Sequence, residues 1–389
     1  MIITKKNILF VNGHLNVGGV ERSLVDVLKH FNYNKYNVDL LLLEGTGDYL
    51  DEIPKNVNII NKDTRPAFGP TATSIKQNIR TRNWFAIKYR IILTLIKFVG
   101  NRVYNLLPKL LHINKVYDVA IAYRTGIVAD IVAYGVDAKT KLCWWHHGCI
   151  KTNDNLSQLI KFNAVIAVSN GIRDLLRYNQ IKTDILVIPN IVDIKNICSK
   201  ASNEPNPFKN FDGLKFITVG RIVEEKHVEN VVEAAIQLKA DDKLKFKWYI
   251  IGDGELYDYI KGLILEANIE DIVILCGSKS NPYPYIKHAD LMVHTSHIES
   301  QGLVIQEAMA LGTPCVVTRS VGPSEFIIEG ENGIMVEPTI DSLIGGIYQL
   351  AEDKSLQVKI ANNGISTISQ KYSPETIIKQ IEEIIDNEF

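Results

Sequence analysis

The chain has 389 residues, 46% of them hydrophobic and 22% charged, with a formal net charge of −1. That length accommodates two or three ordinary domains, and the composition is that of a soluble globular protein with a large buried core. The near-neutral charge gives no nucleic-acid signature, and the five cysteines, at 143, 149, 198, 276 and 315, form no C-x-x-C pair, so neither a zinc site nor a disulfide framework is expected.

The opening MIITKKNILFVNG holds an apolar run of only four residues, Ile8 to Val11, too short for a signal-peptide core. No run of about 18 uncharged apolar residues follows, so no membrane-spanning helix is expected. With the cysteine pattern, a reducing, cytoplasmic setting fits best. Predicted strands then run at Asn7–Gly13, Val38–Leu43, Val57–Ile60, Tyr117–Tyr123, Lys141–Trp145, Ala164–Ser169 and Asp184–Pro189. Most are continuous apolar runs, as in parallel strands buried on both faces. Helix-patterned segments separate them; Gly19–Phe31 places Val20, Leu24, Val27, Leu28 and Phe31 at helical spacing. Ser169 reads as a cap on the following helix.

From Thr64 to Tyr117 the chain carries ten Lys or Arg and no Asp or Glu, whereas the remainder has 33 basic against all 44 acidic residues, a net of −11. Such a local field guides anionic partners. Within this block, Trp84 to Leu111 reads as one helix with a narrow polar stripe at Arg90, Thr94, Lys97, Asn101 and Asn105. Basic residues beside a wide apolar surface suit the face of an anionic membrane.

Lys195 to Gly213 is polar, carries two prolines and reads as a linker. Strands resume at Leu214–Gly220, Phe246–Gly252, Ile272–Gly277, Leu291–Ser296, Pro314–Thr318 and Ile334–Val336, again with helices between. The expected organisation is α/β: two Rossmann-like doubly wound domains facing across a cleft, at 1–195 and 214–372, joined by a linker at 196–213. An acidic amphipathic helix at 373–389 closes the chain and is expected to pack back on the N-terminal domain.

Chemistry concentrates at the strand ends of the second half. The strand 214–220 runs into Arg221, with Lys226 five residues on, so two cations lie where phosphates would bind. In SHIESQGLVIQEAMALG, 296–312, a polar turn with Glu299 precedes a helix from about Leu303 to Leu311. Gly302 permits close backbone approach, the first helical N–H groups form an anion site, and the two carboxylates suit sugar hydroxyls. Glu307 lies within an apolar helix, where an unpartnered carboxylate is costly. Gly252-x-Gly254 lacks the third glycine of a dinucleotide fingerprint.

These segments resemble a family 4 retaining glycosyltransferase of the two-Rossmann-domain architecture called GT-B. The resemblance rests on Glu299-x7-Glu307 within ESQGLVIQEAMALGTPCVVT, on VGRIVEEK at 219–226, IIGDGE at 250–255, ADLMVHTS at 289–296, GPSEFI at 322–327 and NGIMVEP at 332–338. GGVE at 18–21, WWHHG at 144–148 and IPNIVD at 188–193 extend it into the first half, so the motifs cover most of the chain in order. It implies that Arg221 and Lys226 bind a donor diphosphate and that Glu307 holds the ribose. Glu299 would contact the donor sugar beside the backbone N–H groups of Gln301, Gly302, Leu303 and Val304, with Ser300 in the same turn. Gly18 and Gly19 would pass close to the phosphates, and Gly277 close to the base. A histidine at an N-domain strand end would face the sugar; His146 and His147 compete, and the W-x-H pattern favours His146.

Breaking a glycosyl phosphate bond puts negative charge on a diphosphate, which enzymes stabilise with a divalent metal or with fixed cations and helix dipoles. No Asp-x-Asp occurs in the chain. Arg221, Lys226 and the helix start could supply the charge, so metal-independent transfer with no cofactor beyond the UDP-sugar donor is expected. Attack on the face the leaving group departs gives retention. The expected partners are a nucleotide sugar, a glycan or glycolipid acceptor and an anionic membrane surface, inner-face and peripheral, with no nucleic acid. The alternatives are a non-catalytic sugar-binding partner subunit and a sugar-nucleotide epimerase of the same architecture.

Overall fold

The protein is described by a computed structural model covering residues 5–67, 71–113, 115–150, 156–208 and 210–387. It separates into two units: Met1–Pro189 with Ile377–Phe389, and Asn190–Thr376.

Unit 1 is built on seven strands: β1 Lys6–Asn12, β2 Tyr36–Leu42, β3 Val57–Asn61, β4 Tyr117–Ala122, β5 Ala138–Trp145, β6 Ala164–Ala167 and β7 Asp184–Val187. Their order is β3-β2-β1-β4-β5-β6-β7, and every pairing is parallel. Unit 2 has β8 Leu214–Val219, β9 Phe246–Ile251, β10 Val273–Leu275, β11 Leu291–His294, β12 Cys315–Thr318 and β13 Ile334–Val336. Their order, β10-β9-β8-β11-β12-β13, repeats that of unit 1 strand for strand through its sixth member, again all parallel. In such sheets the winding reverses beside the first strand, and ligands bind at the carboxyl ends there. The two switch points are β1/β4 and β8/β11.

The continuous apolar runs of the sequence become central strands because both faces are covered by helices. In unit 2, Phe216, Trp248, Leu291 and Val316 pack on one face, and Ile217, Met292, Cys315 and Val317 on the other. The C-terminal helix Pro374–Asp386 buries Ile377, Ile378, Ile381 and Ile385, and its Glu382 and Asp386 pair with Lys35 in unit 1.

Two local expectations change. The single helix over Trp84–Leu111 is broken: one helix spans Trp84–Val99, Gly100 turns the chain with φ +81°, and a short 3-10 turn precedes a second helix at Leu106–Leu111. Gly100 alone in this stretch adopts that backbone without strain, and its N–H caps Ile96. The polar stripe does face solvent at Thr94, Lys97, Asn101 and Asn105, and Arg90 alone of its members is half-buried. Arg90 donates to the Ala67 carbonyl (3.0 Å). Ala86, Tyr89 and Ile92 are buried, while Trp84, Ile91, Leu95 and Phe98 are exposed, Phe98 by 84%. Finally, 196–202 of the segment read as a linker lies in the helix Ile194–Ser202, capped by Asp193 and anchored by Ile197 and Ala201. Ser169 caps its helix at Ile172, as its position suggests. All five cysteines are free.

Candidate active site

At the β8 end the chain passes from Gly220 into Arg221. Beside it, β9 runs into Gly252-Asp253-Gly254. A Cβ on Gly252 would stand 1.8 Å from the Gly220 carbonyl oxygen, and one on Gly254 would stand 2.3 Å from that of Ile222. These glycines therefore let two strand-end loops lie backbone against backbone, tied by Ile222 N–H to Asp253 O (2.9 Å). Their role is loop packing, not a dinucleotide cradle. Gly277 ends the neighbouring turn with φ +66° and accepts from the Gly252 N–H (3.1 Å). Arg221 is exposed, and no protein acceptor meets its guanidinium among the described residues. It is a cation available to a ligand.

The β11 end supplies the bolts. Its apolar run closes in His294, Thr295 and Ser296, all buried. Thr295 Oγ1 donates to the Lys226 carbonyl (2.8 Å), and Ser296 Oγ reaches the carbonyls of Glu225 (2.9 Å) and Ile298 (3.0 Å). Buried hydroxyls must find acceptors, and the Lys226 and Glu225 carbonyls belong to the loop that carries Lys226. The two loops are thereby held together, and the Lys226 ammonium forms an ion pair with Glu299 Oε1. His294 Nε2 lies 2.8 Å from the same oxygen. Burial alone would raise the Glu299 carboxyl; the Lys226 charge and the His294 hydrogen bond outweigh it and draw the pKa down to about 2. Glu299 is a fixed anion.

After Glu299 the turn reaches Gly302, whose φ +82° and ψ 53° are left-handed, and the helix Leu303–Ala310 begins. Gly302 has no side chain to cap that helix, so the N–H groups of Leu303 and Val304 remain for a ligand. The Gln301 side chain is spent internally: it accepts from the Asn190 N–H (2.8 Å) and donates to Gln306 Oε1 (2.9 Å). Only the backbone of Gln301 is left for the role that the resemblance implies. Gly322 packs against this turn, donating its N–H to the Glu299 carbonyl (3.0 Å). Glu307, one turn into the helix, accepts from the Tyr283 hydroxyl (2.9 Å). That contact answers the cost of a carboxylate within an apolar helix.

In unit 1 the corresponding switch point gathers a different set. Gly18 is extended and Gly19 opens the helix Gly19–His30. A Cβ on Gly18 would stand 2.3 Å from Glu21 Oε2. Buried Glu21 pairs with Arg124 Nη1 (3.0 Å), just past β4, and lies 3.6 Å from His14 Nδ1. His146 follows β5, its ring 5.0 Å from that of Tyr123. It is 9% exposed, and its Nε2 has no protein partner. Burial, with the His147 and Arg124 charges, lowers its pKa to about 3, so the imidazole is neutral. His147 is half-buried, and its carbonyl accepts from Trp145 Nε1 (3.0 Å). Between the two histidines, His146 is the one with an unused ring nitrogen in a buried position.

The fold thus brings Lys226 and Glu299 into contact, sets Glu307 on the following helix, and leaves Arg221 in solvent. His294, Thr295, Ser296, Tyr283, His14 and Arg124 carry functional geometry that the sequence reading did not assign. A signal existed for the first three: three consecutive polar residues closing a buried apolar strand need partners.

Residues 200–367 match the family described as Glycosyl transferases group 1. A lipopolysaccharide core biosynthesis glycosyltransferase, LpsE of Rhizobium meliloti, is 33% identical over 162 residues, 41% of this chain and 46% of that protein. A poly(ribitol-phosphate) alpha-N-acetylglucosaminyltransferase of Staphylococcus aureus is 32% identical over 225 residues, 57% of this chain and 43% of that one. The match thus spans under half the length of each relative. Among solved structures, Anabaena Alr3699/HepE in complex with UDP and glucose superposes with a TM-score of 0.73 at 20% identity, covering 98% of this chain and 99% of that one. Residues 200–367 are thus similar to the glycosyl transferases group 1 family, and the chain is built on the GT-B fold.

Proposed function

We propose that the protein is a retaining, metal-independent glycosyltransferase that moves a hexose or N-acetylhexosamine from a UDP-sugar to a lipid-linked or surface-polysaccharide acceptor. One observation carries the reading: two cations, a fixed anion and an uncapped helix start lie at the β8/β11 switch point of unit 2. Arg221, Lys226 and the N–H groups of Leu303 and Val304 neutralise the diphosphate. Glu307, oriented by Tyr283, receives the ribose hydroxyls. Glu299 receives hydroxyls of the sugar.

In the transfer, an acceptor hydroxyl oxygen bonds to the anomeric carbon as the bond from that carbon to the β-phosphate oxygen breaks. The electron pair stays on the diphosphate, where the cations meet it. The hydroxyl proton passes to the departing phosphate oxygen on the same face, so configuration is retained. His146, neutral and with Nε2 unused, offers one hydrogen bond to a sugar hydroxyl. The names of the relatives, which concern lipopolysaccharide core and poly(ribitol-phosphate), support an envelope polymer as acceptor.

The outward face of the helix Trp84–Val99 supports docking on an anionic membrane. Trp84, Ile91, Leu95 and Phe98 lie along one side, Lys88 and Lys97 are exposed nearby, and no acid occurs from Thr64 to Tyr117. No helix among the described residues is long and apolar enough to cross a membrane, so attachment would be peripheral. Salt-sensitive flotation with anionic but not neutral vesicles is expected; equal flotation with both removes the membrane partner.

Thermal-shift titration against a panel of nucleotide sugars, followed by nucleotide release with and without metal chelator, tests the central reading. A UDP-sugar should stabilise the protein and be turned over in chelator. Binding without release in any condition would make the chain a sugar-binding subunit, and release only with divalent metal would overturn the metal-independent mechanism.

A further inference from the structure

His294 closes an apolar strand at 2% exposure, where an imidazole is tolerated only with a partner. Its partner is Glu299 Oε1, which Lys226 also takes. Two donors thus converge on one carboxylate oxygen, and no protein donor among the described residues meets Oε2. The Glu299 side chain is 11% exposed.

A diphosphate arriving beside Lys226 competes with Glu299 for that ammonium. Lys226 reaches from a flexible four-carbon stem and is free to turn. His294 is not: its backbone is locked in β11 between β8 and β12. If Lys226 were the sole partner, its departure would leave a nearly buried carboxylate facing an incoming anion, which favours protonation and release of the side chain. With His294 in place, Oε1 keeps a donor and Oε2 keeps its aim.

We propose that His294 is a positioning residue that holds Glu299 ionised and oriented toward the donor sugar while Lys226 transfers its charge to the diphosphate. The inference rests on the donor-site reading above. It separates the two halves of donor recognition: the diphosphate belongs to Arg221 and Lys226, and the sugar belongs to Glu299 as held by His294.

Calorimetric affinities for UDP and for the UDP-sugar that the panel identifies, with kcat and KM, should be measured for wild type, His294→Phe and His294→Gln. Phe removes the donor; the Gln amide nitrogen can stand where Nε2 stands. Loss of one hydrogen bond to a charged group predicts that Phe weakens UDP-sugar binding about 10- to 100-fold while UDP binding changes less than about threefold. Gln should restore most of the difference. Should Phe unfold the strand end, His294→Leu supplies a second variant without the donor. An unchanged ratio of UDP-sugar to UDP affinity in a folded donor-less variant overturns the proposal, as does a Gln variant as impaired as Phe. A wild-type protein that binds no nucleotide instead overturns the donor site itself, and this inference with it.

Discussion

The two switch points share a topology and differ in how they hold charge. In unit 2 the buried ionisable group is Glu299, and it is charged because a lysine and a histidine meet it. In unit 1, beside the Glu21–Arg124 pair, it is His146, and burial with no partner at Nε2 among the described residues keeps it neutral. Burial acts on both in the same sense, against the charged form; the presence of partners decides the outcome. Unit 2 is thereby set up to receive an anion of known place, and unit 1 keeps an open hydrogen-bonding position. In the proposed reaction the first arrangement suits the donor diphosphate, and the second suits a hydroxyl of the sugar that is moved.

The largest effect should come from Lys226→Ala. Removing one fixed cation from the leaving-group site is expected to lower kcat about 10²- to 10³-fold, read by nucleotide release, with the far-ultraviolet dichroism unchanged. A fall of less than about threefold would place the charge stabilisation elsewhere, and unit 2 would lose its part in the comparison.

Acidification separates the units by window. The folded-state pKa of His146 is about 3 against an ordinary 6.5. Between those values the unfolded chain binds a proton that the folded chain refuses, so stability falls as pH drops from 6.5 toward 3. His146→Phe should remove that slope, worth about 2–4 kcal/mol at pH 4 in denaturant titrations. The Glu299 pKa is about 2 against an ordinary 4.5. Its contribution is complete above 4.5 and is lost as pH falls toward 2. The gap between wild type and Glu299→Gln should therefore hold from pH 7 to 5 and then close by about 2–3 kcal/mol. Parallel curves for His146→Phe and wild type would mean that the imidazole protonates in place, and the contrast between the units would vanish.

Much of the sheet framework was legible beforehand. Each of the thirteen strands described coincides with a predicted apolar run to within a few residues, because parallel strands covered on both faces leave a continuous hydrophobic signature. The helix after Gly302 was legible as well, from a glycine followed by an apolar run. The break at Gly100 was missed because flanking apolar residues at Ile96, Val99 and Val103 sustain a helical pattern through it. Which apolar positions of Trp84–Val99 stay uncovered was not legible, because periodicity identifies the faces of a helix and what packs against it decides which of them is buried. Here Ala86, Tyr89 and Ile92 are covered, while Trp84, Ile91, Leu95 and Phe98 stay exposed beside the polar stripe. Within the site, Glu299 and Lys226 could be named by their chemistry. Their meeting on one oxygen with His294 could not, since it depends on a loop register 73 residues apart in sequence.

The smallest expected effect asks what the hydroxyls of unit 2 are for. Ser296 is fully buried, with one proton for two carbonyls, so Ser296→Ala loses about one net hydrogen bond, about 1 kcal/mol. Thr295→Val keeps the shape and loses the bond to the Lys226 carbonyl at similar cost. Both bonds fall on the backbone that carries Lys226, so the double variant should weaken UDP binding several-fold while kcat at saturation changes little. A donor that still reaches Lys226 restores the same charge arrangement, and the lost energy appears in the ordering of the loop before binding. Stability loss of about 2 kcal/mol with unaltered UDP affinity would instead make the hydroxyls supports of the β11 end alone. The fixed charge of unit 2 would then owe its position to the Lys226–Glu299–His294 contact and not to the loop that bears it.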